Sequence, residues 1–400
     1  MYITRRLSQY RNSPEALSLA APEGPSSGIL LLQDEEANPT CCFGLFNSDK
    51  LRHLPLPQNK RLELSYSQGF YPNRSLHFHS VFFIPVLGQP LSSNRYYVIQ
   101  PYGKDRGEAY TSCKDEDLES GGCFGSYDSD LPPKRLDPRD AYQQMVISCH
   151  GRNLNPFGSE FVAKSVAQDG FPPNFLGRRS GWQLSYSDSI EFELGDAQGL
   201  DTALRAQLPD FDFPLAHERS KPVIVGKWYC PFLFIKEGAP ITIQNENRRS
   251  MYYEMSLEQN WEKIIAKDNY NNEGNAVAVD VVVQSEVLTV SGKECLADEK
   301  NLSDGVLWYR HISNLGEETS VGLSLAVVEG MRWEQERVGW VEEKERQVRV
   351  ERTEAFGGPG EYKKFGCYVL IERFVLKRMN GSLVLTQEFR HTHQIRSKWE

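Results

Sequence analysis

Apolar positions along this chain recur mostly with a period of two, and only seldom with the period of a helix. In a strand, successive side chains point to opposite faces, so alternation marks a surface with one side covered. Ile29–Leu32, bounded by Gly28 and Asp34, reads as a short buried strand. Arg61–Ser67, His77–Pro85 and Arg95–Gln100 read as further strands, punctuated by Gly and Pro. Val277, Val279, Val281 and Val283 alternate with Ala278 and Asp280, and Val321, Leu323, Leu325 and Val327 with Gly322, Ser324 and Ala326. Both runs predict long strands. Pro222–Lys236 holds two apolar runs broken by Pro231, which predicts two strands or one bent edge strand. Asn380-Gly381 is a type I′ turn signal. It predicts a terminal hairpin over 365–396, with Arg373 opposite Glu388 and Leu370 opposite His391.

Helical signals are fewer. Asp137-Pro138 predicts a helix start, with Asp as cap and Pro at the first helical position. Asp201 caps a helix over 201–208. Ser256 and Gln259 have capping-box spacing, and Leu257, Trp261, Ile264 and Ile265 share one helical face. Those residues predict the best helix of the chain, over 257–266. Residues 332–352 are dense in charge of both signs and fit a helix or a strand. Apart from Ile29–Leu32, the first forty residues are Pro-rich and read as loop. Residues 103–136 read as a mobile acidic surface loop, and the Gly, Pro and Asn of 151–159 as a boundary. The expected class is α+β, predominantly antiparallel β with a few short helices. It is divided into domains 1–150 and 151–400.

Composition supports that picture. Four hundred residues exceed the roughly 250–300 at which single cores stop growing. The 40% hydrophobic and 25% charged content is that of a globular protein, and 20 Phe, 18 Tyr and 7 Trp favour strands. The net charge of −9 argues against general nucleic-acid binding, which needs a basic face. The locally basic stretch from Lys363 to Lys398 reads as a solvated hairpin face. No apolar run of signal-peptide length follows Arg5 and Arg6, and none approaches the ~20 residues of a spanning helix. The expectation is a protein of the cytoplasm or nucleus, not secreted, with no transmembrane segment and with its eight cysteines as thiols.

Candidate chemistry is sparse. Gly24-Pro25-Ser26-Ser27-Gly28 fits the nucleophile-elbow pattern, but an elbow needs a strand before the serine and a helix after it. Ser26 therefore reads as a turn residue. A phosphate loop needs Gly-Lys-Ser/Thr before a helix, whereas Gly226-Lys227 precedes Trp228 and Gly292-Lys293 precedes Glu294. Gly357-Gly358-Pro359-Gly360 reads as a turn. Cys41, Cys42, Cys113, Cys123, Cys149 and His150 match no common zinc spacing. His77/His79 and His391/His393 each put two imidazoles on one strand face, without an evident third ligand. Trp228 and Tyr229 read as packed aromatics. No catalytic, binding or metal residue is assigned, and no cofactor is expected.

Eight long segments carry a family resemblance. They are MYITRRLSQYRNSPEALSL at the start, PEGPSSGILLLQDEEA (22–37), LPLPQNKRL (54–62), IPVLGQPLSSNRYYVI (84–99), LDPRDAYQQ (136–144), SVAQDGFPPNFLGRRSGW (165–182), VGKWYCPFLFIKEG (225–238) and MSLEQNWEKI (255–264). Together they resemble a plant-specific family of uncharacterised proteins, domain-of-unknown-function family 1262. Its members are sometimes labelled "insecticidal crystal toxin domain". One departure is the Gly-Gly-Cys123-Phe-Gly run, where the family pattern is richer in cysteine. The resemblance implies a plant origin and a stress or defence setting, and brings no established active site. The leading expectation is a non-catalytic module that binds a small molecule or a protein. An enzyme whose residues converge only in the fold is the alternative, and an aerolysin-like pore-forming β protein is the second. Val321–Val328 has the composition that the pore reading needs.

Overall fold

The computed structural model describes residues 1–21, 24–38, 40–41, 46–69, 73–114, 131–150, 160–178, 180–191, 194–238, 251–270, 274–298, 305–314, 316, 318–342 and 346–400. In chain order the first elements are β1 (Tyr2–Arg6), α1 (Leu7–Asn12), β2 (Gly28–Leu32), β3 (Lys60–Gln68), β4 (Ser75–Pro85), β5 (Arg95–Ile99), β6 (Gln144–His150), β7 (Glu160–Ser165) and β8 (Gln183–Glu191). There follow α2 (Thr202–Gln207), β9 (Val223–Pro231), β10 (Ile235–Glu237), β11 (Tyr252–Asp268), β12 (Ala276–Gln284), β13 (Glu286–Val290), β14 (Val306–Ile312) and β15 (Glu318–Ser324). The last are α3 (Leu325–Glu336), β16 (Gln347–Ala355), β17 (Lys364–Arg378) and β18 (Leu383–Trp399).

Two large sheets organise these strands. The first runs β2-β1-β9-β11-β17-β18-β13, completed by the two-residue strands Lys293–Glu294 and Gly199–Leu200. The second runs β5-β4-β3-β8, with β6 on the other edge of β5 and β7 on β6. β10, β15 and β14 form a smaller sheet, and β12 pairs β16 in a two-stranded ribbon. Among the described residues every pairing is antiparallel except β1 with β2. The expectation of a predominantly antiparallel β protein with few helices therefore holds.

The largest core cluster joins both sheets, packing Phe82, Ile84 and Tyr97 with Trp228, Tyr252 and Phe374. A second cluster, with Leu62, Phe83, Tyr96, Phe161 and Trp182, lies on the opposite face of β4 and β5. Residue 150, expected as a domain boundary, is crossed by strand pairing in two places: β7 pairs β6, and β8 pairs β3. The N-terminal strands likewise enter the sheet built by the second half, where Tyr2 faces Tyr229.

Strand expectations at 29–32, 61–67, 77–85, 95–100 and 277–283 are met by β2, β3, β4, β5 and β12. The terminal hairpin has the expected register over Leu370–Leu376, with Arg373 opposite Glu388 and Leu370 opposite His391, and it shifts at Val369/Leu370 and at Leu376/Lys377. α2 forms where Asp201 predicts it, and the Asp201 carboxylate accepts the Leu204 N–H at 2.9 Å.

The helix expected over 257–266 is instead the middle of β11, seventeen residues long and hydrogen-bonded to β9 and β17. Met255, Leu257, Gln259 and Trp261 fill one face, and Ser256, Glu258, Asn260 and Glu262 the other. A central strand with both faces covered loses its plain inside-outside contrast. Sheet pairing then overrides a chance match to helical spacing. The first forty residues are not loop throughout, because Tyr2–Arg6 is a buried strand continued by α1. The run 321–328 is not one strand: it leaves β15 at Ser324 and continues as α3. The Asp137-Pro138 start is displaced, and Asp140 caps a short 3-10 turn over Ala141–Gln143. Pro222–Lys236 contains two strands, and β9 is internal rather than an edge. Within 332–352, α3 ends at Glu336 and β16 begins at Gln347. The centre of the acidic stretch 103–136, at 115–130, and all of 151–159 lie outside the described residues.

Candidate functional site

A cavity lies where the two core clusters meet. α1 supplies Leu7, Tyr10 and Arg11, and the 3-10 helix Pro14–Ser18 supplies Pro14 and Leu17. Gln33 follows β2, Asn38 lies just beyond, Leu51–Pro55 forms one wall, and Tyr186 of β8 closes the other side. Leu7, Tyr10 and Leu17 belong to the large cluster, whereas Leu51, Leu54 and Tyr186 belong to the second. The cavity encloses ≈ 580 Å³, inside the roughly 300–1,000 Å³ range of small-molecule pockets.

Backbone pairing sets the wall positions. Leu51 N–H donates to the Leu184 carbonyl at 2.9 Å, and Tyr186 N–H to the Asp49 carbonyl at 2.7 Å, so the loop follows β8. On the floor, Tyr186 Oη donates to Gln33 Oε1 at 2.8 Å. Gln33 N–H donates to Asn59 Oδ1 at 2.8 Å, and Asn59 Nδ2 returns a bond to the Gln33 carbonyl at 3.1 Å. Asp34, the acid next in sequence, is turned to Ser8 and accepts from its hydroxyl and its N–H. Burial pushes the Tyr10 and Tyr186 phenols up, although a nearby arginine works against each shift. Burial pushes the His53 imidazole down, and the Arg11 and Arg52 guanidinia push it further.

A second concentration of polar groups lies on one face of the large sheet, under α2 and α3. The Arg205 guanidinium clamps the Glu372 carboxylate through Nε at 2.8 Å and through a second nitrogen. It also reaches Glu334 Oε2 at 3.2 Å and the Glu334 carbonyl at 3.0 Å. Gln259 and Gln335 donate to the same Glu372 carboxylate at 2.7 and 2.9 Å. His391 Nε2 lies 3.0 Å from Gln335 Oε1 and 3.7 Å from Glu372. Burial acts to raise the Glu372 carboxyl, but the Arg205 bonds outweigh it and hold it below its ordinary value. Burial drives His391 down to about 4. Shifted carboxylate and imidazole groups often mark catalytic sites. Here all six members are under 10% exposed, and none lines a described cavity. The cluster ties two helices to the sheet and offers no path for a substrate.

The opposite face of the same strands carries a ladder of ion pairs. Arg373 reaches Glu258 at 2.8 Å and Glu388 at 3.4 Å, Arg219 binds Glu388 at 3.1 Å and also Glu262, and Arg390 binds Glu262 at 2.8 Å. Within the basic stretch expected to be a solvated hairpin face, Arg373 and Arg390 are thus paired with carboxylates from β11 and β18.

The candidate residues noted in the sequence are dispersed. Ser26 sits in a turn with its φ at +57°, and β2 follows it, so no helix stands behind the serine. His77 and His79 stack on Tyr66 at 5.2 and 5.6 Å, and His79 stacks on Phe175 at 4.7 Å. His391 points inward while His393 is exposed, since a register shift separates their partners. No grouping of three metal-ligand side chains occurs among the described residues. Trp228 and Tyr229 are buried core residues of β9. Cys149, Cys230, Cys295 and Cys367 are free, but Cys113 is disulfide-bonded, which corrects the all-thiol expectation. The side chains of Cys41, Cys42, Cys123 and His150 lie outside the described residues. None of the described ones lines the cavity. Sequence reasoning missed Arg11, Arg52, His53 and Tyr186, whose one linear signal is the Arg52-His53 pair within the otherwise apolar run Leu51–Pro57.

Comparison with known proteins adds little chemistry. A family model described as "Protein of unknown function (DUF1262)" matches residues 23–124, a segment holding Gln33, Asn38 and Leu51–Pro55 of the cavity. No curated protein matches the sequence. The chain is similar to a solved structure described as "Crystal structure of Cry35Ab1", with a TM-score of 0.47 and 13% identity, over 86% of this chain and 90% of that one. No helix of the described residues is long and apolar enough to cross a membrane.

Proposed function

We propose that this protein is a small-molecule-binding module and that the cavity beside α1 is its binding site. The observation that carries the reading is the ≈ 580 Å³ cavity itself, lined by apolar and polar side chains together at the junction of two core clusters. Its volume and its mix of apolar surface with a few polar groups are those of small-molecule sites. With this reading goes the setting implied by the sequence resemblance, a plant cell interior under stress or attack.

The test uses a pocket-filling variant. Leu17 is half-buried at the cavity wall, so Leu17→Trp occupies the space without disturbing a central core position. A chemically diverse metabolite panel is screened by thermal shift against wild type and variant. Ligands that bind only the native state stabilise it by about 2.7 kcal/mol at a hundredfold excess over Kd. The expected result is a set of compounds that raise the melting temperature of wild type and not of Leu17→Trp. A panel without hits, or with hits that stabilise both proteins equally, removes the reading.

A further inference from the structure

We infer that the cavity beside α1 selects an organic anion, with its carboxylate, phosphate or sulfate group held by Arg11 and Arg52 and its apolar body packed between Tyr10, Leu17 and Leu54. The inference rests on the ligand-binding reading and narrows it to one class of ligand.

Charge is the first argument. The described residues lining the cavity include two guanidinia and an imidazole, and no carboxylate. In this structure neither Arg11 nor Arg52 makes an ion pair with a described residue. By contrast Arg205, Arg219, Arg373 and Arg390 are each matched to glutamates. In a chain of net charge −9, two unmatched guanidinia converging on one cavity form a local positive site. The nearest sequence acid, Asp34, is already engaged by Ser8.

Hydrogen bonding is the second argument. Arg52 Nε is buried and has no acceptor. A buried donor left without a partner is costly, and a guanidinium's fork of donors suits an oxyanion. Meanwhile the floor amide is used internally, since Gln33 Oε1 accepts from Tyr186 and Gln33 Nε2 lies 3.3 Å from the Asp34 carbonyl. The buried, unbonded donor among the described lining residues is thus Arg52 Nε.

Third, both guanidinia act on His53 strongly enough to help hold its imidazole below the ordinary histidine value. A bound anion reverses that field, so binding takes up a proton at His53. The groups facing it are Arg11 and Tyr10 from α1, Arg52 from its own loop and Tyr186 from β8. Anion affinity accordingly rises as pH falls from 7 toward 5.5.

The test is calorimetric titration of the full chain with matched probe sets. Each set is a carboxylate, a neutral amide and an amine on one arylalkyl body, with bodies of graded length, beside inorganic phosphate and sulfate alone. The expected result is carboxylate binding that is lost in Leu17→Trp, at least tenfold weaker for the amide and absent for the amine. Arg52→Gln weakens the carboxylate at least tenfold, Arg52→Lys retains part of it, and both variants melt as wild type does. Binding of inorganic phosphate or sulfate in competition with the carboxylate identifies the oxyanion as the recognised group. Amide or amine binding equal to the carboxylate, still lost in Leu17→Trp, overturns the anion inference and leaves the ligand-binding reading standing. Failure of every probe to bind in a Leu17→Trp-sensitive way overturns both.

Discussion

Arg205 and His391 illustrate how single buried polar residues can stabilise a β-rich core. The four Arg205 bonds satisfy the Glu372 carboxylate and one oxygen and the carbonyl of Glu334. Arg205→Met strands the buried Glu372 carboxylate, while Glu334 keeps Arg337 at 2.8 Å, and a loss of about 3–5 kcal/mol is expected, read as a lower urea midpoint. Glu372→Gln added to that variant restores part of the loss, because the stranded charge is gone. His391 supplies a pH signature. Its folded pKa of about 4 lies below the ~6.5 of an unfolded histidine, so the unfolded chain takes up the proton first. The stability it contributes is complete above about pH 6.5 and is lost as pH falls toward 4, by roughly 3 kcal/mol. Urea titrations at pH 7, 5.5 and 4.5 should show a shallower decline for His391→Gln than for wild type. An identical decline in both proteins would show that His391 does not carry the effect. Glu372, held low by Arg205, acts in a separate window below its ordinary value of 4.5.

At the scale of elements, β9 and β11 show how close packing constrains the sheet. Gly226 lies at a register shift between β9 and β11, and a Cβ there would meet the buried Trp228 ring at 2.3 Å. Gly226→Ala should therefore destabilise by about 1–3 kcal/mol through overpacking, measured by chemical denaturation. Addition of Trp228→Leu, which clears the ring, should make the glycine substitution nearly neutral in a double-mutant cycle. β11 also shows why its type was hard to read. Its polar face, Ser256, Glu258, Asn260 and Glu262, alternates with Met255, Leu257 and Trp261, so a period-two signal existed. The glutamates on that face are paired by Arg373, Arg219 and Arg390 from other elements, which no local pattern shows. The terminal hairpin, by contrast, is closed by a local turn with Gly381 at φ +83°, although Asn380 lacks the positive φ of the expected type I′ turn, and the register read from it holds over Leu370–Leu376.

The whole molecule is interleaved. β1 and β2 pair into the sheet made by the second half, while β7 and β8 complete the sheet made by the first. A fragment of residues 151–400 lacks Tyr2, Ile3, Leu30 and Leu31 from the largest core cluster. A fragment of 1–150 lacks Phe161, Trp182 and Leu184 from the second. Neither fragment should melt cooperatively by calorimetry, whereas the intact chain should. A sharp transition in either fragment alone would mean that a core closes on one side of residue 150. The cavity shares this interleaving, since its lining comes from α1, the loop at 51–55 and β8.

The sequence by itself determined the class of structure and many of its strands. Alternation and turn chemistry are local, and a hairpin such as 365–396 depends on little beyond its own residues. It also determined that no familiar catalytic or nucleotide loop is spelled out in contiguous residues. Tertiary structure alone decided that 252–268 is a strand, because hydrogen bonds to two neighbours outweigh a weak helical pattern. It alone brought Arg11, Arg52, His53 and Tyr186 around one cavity, from segments up to 175 residues apart (186 − 11 = 175). Propensity and periodicity act over a few residues. A binding site made of unpaired charge and enclosed volume exists only once distant strands have been laid side by side.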